Sequence, residues 1–135
     1  MNAIEQAIYN LLTADAMLIT THAIDGVYEG ETHNEADTRY IIIQQQTGVP
    51  AGQTFAGRLG MNRTYLIKVV GEGLFSEGID NAAWYMDGLL ERASLNISGQ
   101  FQKFGLRLET EVKYRERVGN KTWHHIGGRY RLATA

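Results

Sequence analysis

The chain has 135 residues and a mass of 15.1 kDa, with 13 basic and 15 acidic side chains and 44% hydrophobic residues. This composition is ordinary for a globular fold and excludes a charge-rich disordered chain or a collagen-like one. The lack of cysteine excludes disulfides, thiolate metal sites, iron–sulfur clusters and cysteine nucleophiles. With no long apolar run and no basic N-terminal signal, we expect no membrane contact and assembly in the cytoplasm.

The net charge of -2 conceals a marked division along the chain. Residues 1–99 carry five basic and twelve acidic side chains, and residues 100–135 carry eight basic and three acidic ones. The first part therefore has a charge of -7 and the second a charge of +5. Such a division raises the question of whether the basic end meets a polyanion or an acidic neighbour.

The first third predicts a helix followed by two strands. Asn2 and Glu5 resemble a capping box, and the helical spacing of apolar residues stops near Thr20. Residues 24–28 form a short apolar segment with glycines at 26 and 30, which predicts an irregular or short strand. The polar and acidic residues 31–38 predict an exposed loop, and the β-branched run of residues 40–46 predicts a strand. Apolar residues at helical spacing mark the first helix: Ile4, Ala7, Ile8, Leu11 and Leu12.

The middle of the chain predicts a long loop, a strand and a second helix. Residues 47–62 contain four glycines and the only proline, and we expect this loop to order on docking, with Gln53, Phe55, Arg58 and Asn62 as contact residues. Residues 63–72 alternate as a strand. Residues 76–93 have apolar residues at helical spacing, and Ser76 is placed to cap them.

The last third predicts a hairpin that turns at Gly119-Asn120. Even-numbered apolar residues from Leu106 to Tyr114 predict one buried face, and the odd-numbered residues predict a wet face. The outward faces of the two strands can adjoin and pool five basic side chains: Lys113, Arg115, Arg117, Arg129 and Arg131. We therefore expect one α+β domain over residues 1–135, with two helices on a mainly antiparallel sheet in the order α-β-β-β-α-β-β.

The histidines and glutamates of the sequence do not have the arrangement of a metal site or a catalytic site. His124 and His125 would lie on opposite faces of a strand and cannot share a metal ion; we expect one half-buried and one exposed imidazole. Glu109 and Glu111 sit among basic residues, which favours cross-strand ion pairs over an acid/base pair. No nucleophile, phosphate-loop or zinc motif is present. We expect no enzyme activity, no cofactor and no metal.

The basic hairpin face has three open interpretations. The first is a solvent-exposed face whose basic residues pair with glutamates of the same chain. The second is a contact surface for an acidic protein partner, and the third is a contact surface for DNA. Only Trp123 supplies an aromatic ring there, so sequence-specific reading of nucleic acid is not expected.

The order of segments resembles the tail-completion or tail-terminator proteins of long-tailed bacteriophages. The resemblance lies in residues 11–20 and 23–30, in the strands at 39–44 and 64–73, in the following helix, and in the late hairpin ending at residues 124–132. It spans nearly the whole chain.

The resemblance implies a structural virion protein at the head-proximal end of the tail. Such subunits close into a ring, usually a hexamer, which stops polymerisation of the tail-tube protein and joins the tail to the head connector. DNA would pass through the ring without sequence-specific binding. An acidic body and a basic hairpin suit head-to-tail contacts between copies, with the five basic residues at the interface.

Two alternatives stay open at this point. One is another head-tail connector or tail component of the same machine. The other is a small cone-shaped ligand-binding or isomerase-like domain, in which Tyr40, Asp87 or His124 would have to converge on an apolar pocket. A deep apolar cavity with a buried carboxylate or histidine would favour the second.

Overall fold

A computed structural model describes residues 3–31, 36–47, 63–95 and 104–134. In these ranges three helices and five strands follow one another in chain order. They are α1 (Ala3–Thr13), α2 (Ala16–Thr20), β1 (Gly26–Glu29), β2 (Arg39–Thr47), β3 (Thr64–Glu72), α3 (Glu77–Arg92), β4 (Phe104–Val118) and β5 (Lys121–Thr134). The predicted α+β class and the order of the main elements are confirmed.

The strands form one mixed sheet in the order β1-β2-β3-β5-β4. The β1–β2 pair is parallel and the other three pairs are antiparallel. The β4–β5 hairpin turns at Gly119, whose φ of 64° at the first turn position matches a type II′ turn. The short β1 and the 15-residue β4 are therefore the two edges of the sheet.

The helices cover one face of this sheet, which we call the helix side. Their apolar stripes meet the alternate residues Ile41, Ile43, Ile67 and Val69 of β2 and β3 in one buried cluster. Gly71 lets α3 approach closely, because a Cβ at this position would lie 2.5 Å from the Ile79 side chain. The helix side is therefore the main hydrophobic core.

The first helix is shorter than predicted, because the chain breaks at Asp15 and begins α2. The Asp15 carboxylate accepts hydrogen bonds from the backbone N–H groups of Met17 and Leu18, at 3.0 and 3.2 Å. It also accepts one from the Tyr85 hydroxyl of α3 at 3.0 Å. An aspartate at this position is a helix-start signal that the continuous apolar spacing obscured.

Two smaller predictions also need correction. Asp37, placed in the predicted exposed loop, is buried and accepts a hydrogen bond from the Tyr28 hydroxyl. Ser76 lies at the N-cap position of α3, but its hydroxyl bonds to the Asp80 carboxylate at 2.9 Å rather than to the helix backbone. The loop residues 48–62 lie outside the described residues.

The other face of the sheet, which we call the outer face, is also largely buried along β3. Leu66, Lys68 and Val70 are 8%, 9% and 2% exposed, although none of them belongs to the helix-side cluster. Aromatic rings lie over this face, with the Tyr40 ring centroid 6.1 Å from that of Trp123. Because β3 is buried on both sides, its alternation alone cannot tell the core face from the outer face.

Candidate functional site

A bulge in β4 divides the predicted basic surface between the two faces. Leu108 pairs with Tyr130 and Thr110 with Arg129, so Glu109 is an extra residue that is skipped in the strand register with β5. One extra residue reverses which side chains point to each face beyond it. The prediction that even-numbered residues of β4 share one buried face is therefore correct up to Leu108 and wrong after it.

The five predicted interface residues consequently do not form one surface. Lys113 and Arg115 pair with Ile126 and His124 and lie on the helix side, as does Arg117. The other two, Arg129 and Arg131, lie on the outer face, opposite Leu66 and Thr64 of β3. Their role at an interface remains a prediction, but the pooled basic face is wrong.

Arg129 and Arg131 are joined on the outer face by a third arginine, Arg107. Arg107 is the direct cross-strand partner of Arg131, and all three side chains are exposed. Like charges placed directly opposite each other destabilise a strand pair. Glu109 of the bulge supplies the nearest counter-charge, with 3.4 Å between its Oε1 and Arg131 Nε. This ion pair confirms the prediction that Glu109 serves cross-strand pairing.

On the helix side, α3 and β4 enclose an open groove of about 440 Å³. Its floor consists of apolar and aromatic groups, among them Ala83, Leu108, Ile126 and Tyr130. Trp84 stands on its rim with 80% of its surface exposed. A large exposed indole beside an apolar groove is typical of a protein contact.

Three carboxylates line this groove, those of Asp80, Asp87 and Glu111, and Glu91 of α3 lies beside it. Asp87 accepts a hydrogen bond of 2.6 Å from the Tyr130 hydroxyl, and Glu91 accepts one of 2.7 Å from the backbone N–H of Leu108. Burial raises the pKa of Tyr130, and the hydrogen bond and charge of Asp87 and the charges of Glu91 and Glu111 raise it further. Asp87, Glu91 and Glu111 therefore place negative charge around Tyr130, which lines the groove.

Lys113 closes one end of the groove through an ion pair with α3. Its Nζ lies 3.1 Å from Asp80 Oδ1, and the lysine side chain is 61% exposed. Beyond it lies a second open groove of about 400 Å³, lined by Leu74, Phe75 and Arg115 among others. Leu74 and Phe75 are 84% and 82% exposed. Neither residue was predicted from the sequence, and nor was Trp84, although Trp84 lies off the apolar stripe of α3 and so carries a signal in the sequence.

A polar and aromatic network occupies the outer face above β3. Lys68 Nζ donates a 2.8 Å hydrogen bond to the Tyr114 hydroxyl, and the His125 ring stacks on Tyr114 with centroids 4.4 Å apart. His125 Nε2 lies 3.1 Å from Glu116 Oε1. Burial and the charge of Lys68 lower the pKa of His125, and the contact with Glu116 opposes them only in part. This network anchors the bulged half of β4 to the sheet.

The two adjacent histidines do point to opposite faces, as predicted, but both are buried. His124 Nε2 lies 2.9 Å from the carbonyl oxygen of Gly73 on the helix side, and the two histidine residues are 4% and 9% exposed. The expectation of one exposed imidazole is therefore wrong. Within the described residues, no group of three or more histidines, aspartates or glutamates is placed to hold a metal ion.

The three residues named for an isomerase-like site do not converge. Tyr40 lies on the outer face, Asp87 lines the larger groove, and His124 lines the smaller one. The predicted docking residues Gln53, Phe55, Arg58 and Asn62 lie outside the described residues. Among the helices that the structure describes, none is long and apolar enough to span a membrane.

The fold is similar to that of a chain in a solved virion of a native gene transfer agent particle. The TM-score is 0.67 with 16% sequence identity, and the match covers 98% of this chain and 96% of the other. At this identity the likeness concerns the fold alone. No protein-family model matches the sequence, and no curated protein is similar to it in sequence.

Proposed function

We propose that this chain is a structural subunit of a phage-like virion, and that copies of it form a ring at the head-proximal end of the tail. The ring ends polymerisation of the tail-tube protein and joins the tail to the head connector. The observation that carries the proposal is the fold shared, over nearly the full length of both chains, with a component of a gene transfer agent virion. The order of segments, which resembles that of tail terminators, supports the finer role.

The distribution of charge supports assembly from copies of one chain. The outer face presents three arginines and the helix side presents a groove with three carboxylates, so each subunit has complementary surfaces on opposite sides of its sheet. Contacts between unlike surfaces of identical subunits generate rings when the rotation closes. We expect six subunits, with DNA passing through the ring without sequence-specific contacts.

The experiment that tests this function is the solution mass of the purified chain, measured by light scattering with and without the tail-tube protein of the same particle. We expect rings in negative-stain images and a mass of several subunits. A chain that stays monomeric at high concentration, and also in the presence of tail-tube protein, would refute the ring.

A neighbouring connector or tail component would share the same fold evidence. Binding to preformed tail tubes distinguishes a terminator from such a component, because a terminator caps the end of the tube and a different connector component does not. Electron micrographs of tail tubes mixed with the protein should show density at one tip only.

A further inference from the structure

We infer that the arginine cluster on the outer face of one copy docks into the acidic groove of the next copy. The arginine cluster comprises Arg107, Arg129 and Arg131, and the acidic groove is the α3–β4 groove lined by Asp87 and Glu111, with Glu91 beside it at Leu108. The inference rests on the proposed function and names the surfaces that would join its subunits.

The arginine cluster needs more negative charge than its own chain provides there. Arg107 and Arg131 face each other across the β4–β5 pair, and Arg129 lies two residues farther along the same face. Among the described residues the only acidic side chain in an ion pair with any of them is Glu109, which contacts Arg131. An external anionic surface would relieve this repulsion.

Three carboxylates at the acidic groove, in turn, lack a basic ion-pair partner among the described residues of their own copy. No described ion pair connects Asp87, Glu91 or Glu111 to a basic side chain of the same copy. The groove also offers an apolar floor and the exposed Trp84 at its rim. Arginine is favoured at such places, because its planar guanidinium binds carboxylates in a bidentate manner and stacks on aromatic rings. An arginine-bearing surface therefore matches both the charge and the indole.

A second copy fits these observations better than DNA. The arginine cluster and the acidic groove lie on opposite faces of one sheet, so a chain of identical contacts can pass from copy to copy. DNA could use the arginine cluster but would be repelled by the groove, which would leave the carboxylates and Trp84 without a role.

Paired charge reversals test this contact. The variant R107E/R129E makes the outer face acidic and keeps the ion pair between Arg131 and Glu109. The variant E91K/E111K makes the groove basic and keeps the bond between Asp87 and Tyr130. The matched control is Lys121→Glu, an exposed charge beside the hairpin turn. Thermal unfolding confirms that each variant is folded, and Glu111→Lys alone replaces the groove variant if loss of the Glu91 bond to Leu108 prevents folding.

Each variant alone should self-associate at least about tenfold more weakly than the wild type, because like charges then face each other. An equimolar mixture should recover the wild-type mass. In that mixture one junction joins an acidic outer face to a basic groove, and the other junction is wild type, so the two variants alternate around the oligomer. Lys121→Glu should keep the wild-type mass.

The inference is overturned if both variants keep the wild-type mass, or if their mixture stays dissociated. It is also overturned if R107E/R129E loses binding to a random-sequence DNA duplex while its mass is unchanged, since the arginines would then serve DNA. A wild-type chain that is monomeric with and without tail-tube protein refutes the proposed function itself. That outcome differs from an oligomer that tolerates the reversals, which refutes only the surfaces named here.

Discussion

The two faces of the sheet are stabilised by different kinds of interaction. On the helix side, α1, α2 and α3 cover a continuous cluster of aliphatic residues. On the outer face, Lys68, Tyr114, His125 and Glu116 are joined by hydrogen bonds and ring stacking. The helix side provides most of the apolar burial, and the outer face holds the position of β4. The exposed charges of the two faces are therefore held in place in different ways, by aliphatic packing on the helix side and by a polar and aromatic network on the outer face.

Adjacent isoleucines of β2 offer the largest test of this contrast. Ile43 is fully buried in the helix-side cluster, and Ile42 is 3% exposed on the outer face between Tyr28 and Lys68. Ile43→Ala should lower the free energy of unfolding by about 2–5 kcal/mol. Ile42→Ala should cost less, because the long side chains beside it can move into the space. Urea denaturation of both variants measures the two losses of unfolding free energy. Equal losses would contradict the contrast, because the outer face would then be packed as rigidly as the core.

Removing one hydroxyl tests the outer-face network. Tyr114→Phe deletes the acceptor of the 2.8 Å bond from Lys68 but keeps the ring stacked on His125. The buried ammonium then loses a partner, and we expect a loss of about 1–3 kcal/mol. Tyr9→Phe, a change on α1 away from this network, serves as the control in the same denaturation series. Equal stability of wild type and Tyr114→Phe would contradict a structural role for the bond.

The pH dependence of stability should report on His125. Its pKa is lowered in the folded state, so the unfolded chain binds more protons as the pH falls below the usual histidine pKa of about 6.5. The stability contributed by neutral His125 is therefore complete above that pH and is lost as the pH falls toward the folded pKa. His125→Gln should flatten this part of the curve. Matching pH profiles of wild type and His125→Gln, measured by thermal unfolding between pH 5 and 8, would refute this assignment.

The smallest effect is expected at Gly88 of α3, where an added methyl group would lie beside Arg92 of the same helix. The atoms nearest to a Cβ at Gly88 would be those at the end of the flexible Arg92 side chain, at 3.4 Å and beyond. Gly88→Ala should therefore stabilise the protein by up to about 1 kcal/mol. The matched change Gly71→Ala, also glycine to alanine, should destabilise it because the new Cβ would collide with Ile79. Calorimetric melting temperatures that move in the same direction would contradict this close approach.

The sequence predicted the fold class and the main elements, because their periodicities are long and clear. It failed where a single residue changes the geometry. The bulge at Glu109 leaves no mark in the alternation, since Val112 and Tyr114 are apolar yet lie on the outer face. Asp15, by contrast, carried a readable cap signal. The groove between α3 and β4 depends on packing between elements distant in sequence, so only the exposed Trp84 could have hinted at it.

The salt dependence of the solution mass of the wild-type chain tests whether copies assemble through the arginine cluster and the acidic groove. Contacts between an arginine surface and a carboxylate groove weaken when ions screen them. We predict an oligomer at low ionic strength whose mass, measured by light scattering, falls toward that of the monomer as sodium chloride is raised to about 1 M, where screening acts within about 3 Å. A monomer at every salt concentration, or an oligomer that salt leaves unchanged, would contradict assembly through these two charged surfaces.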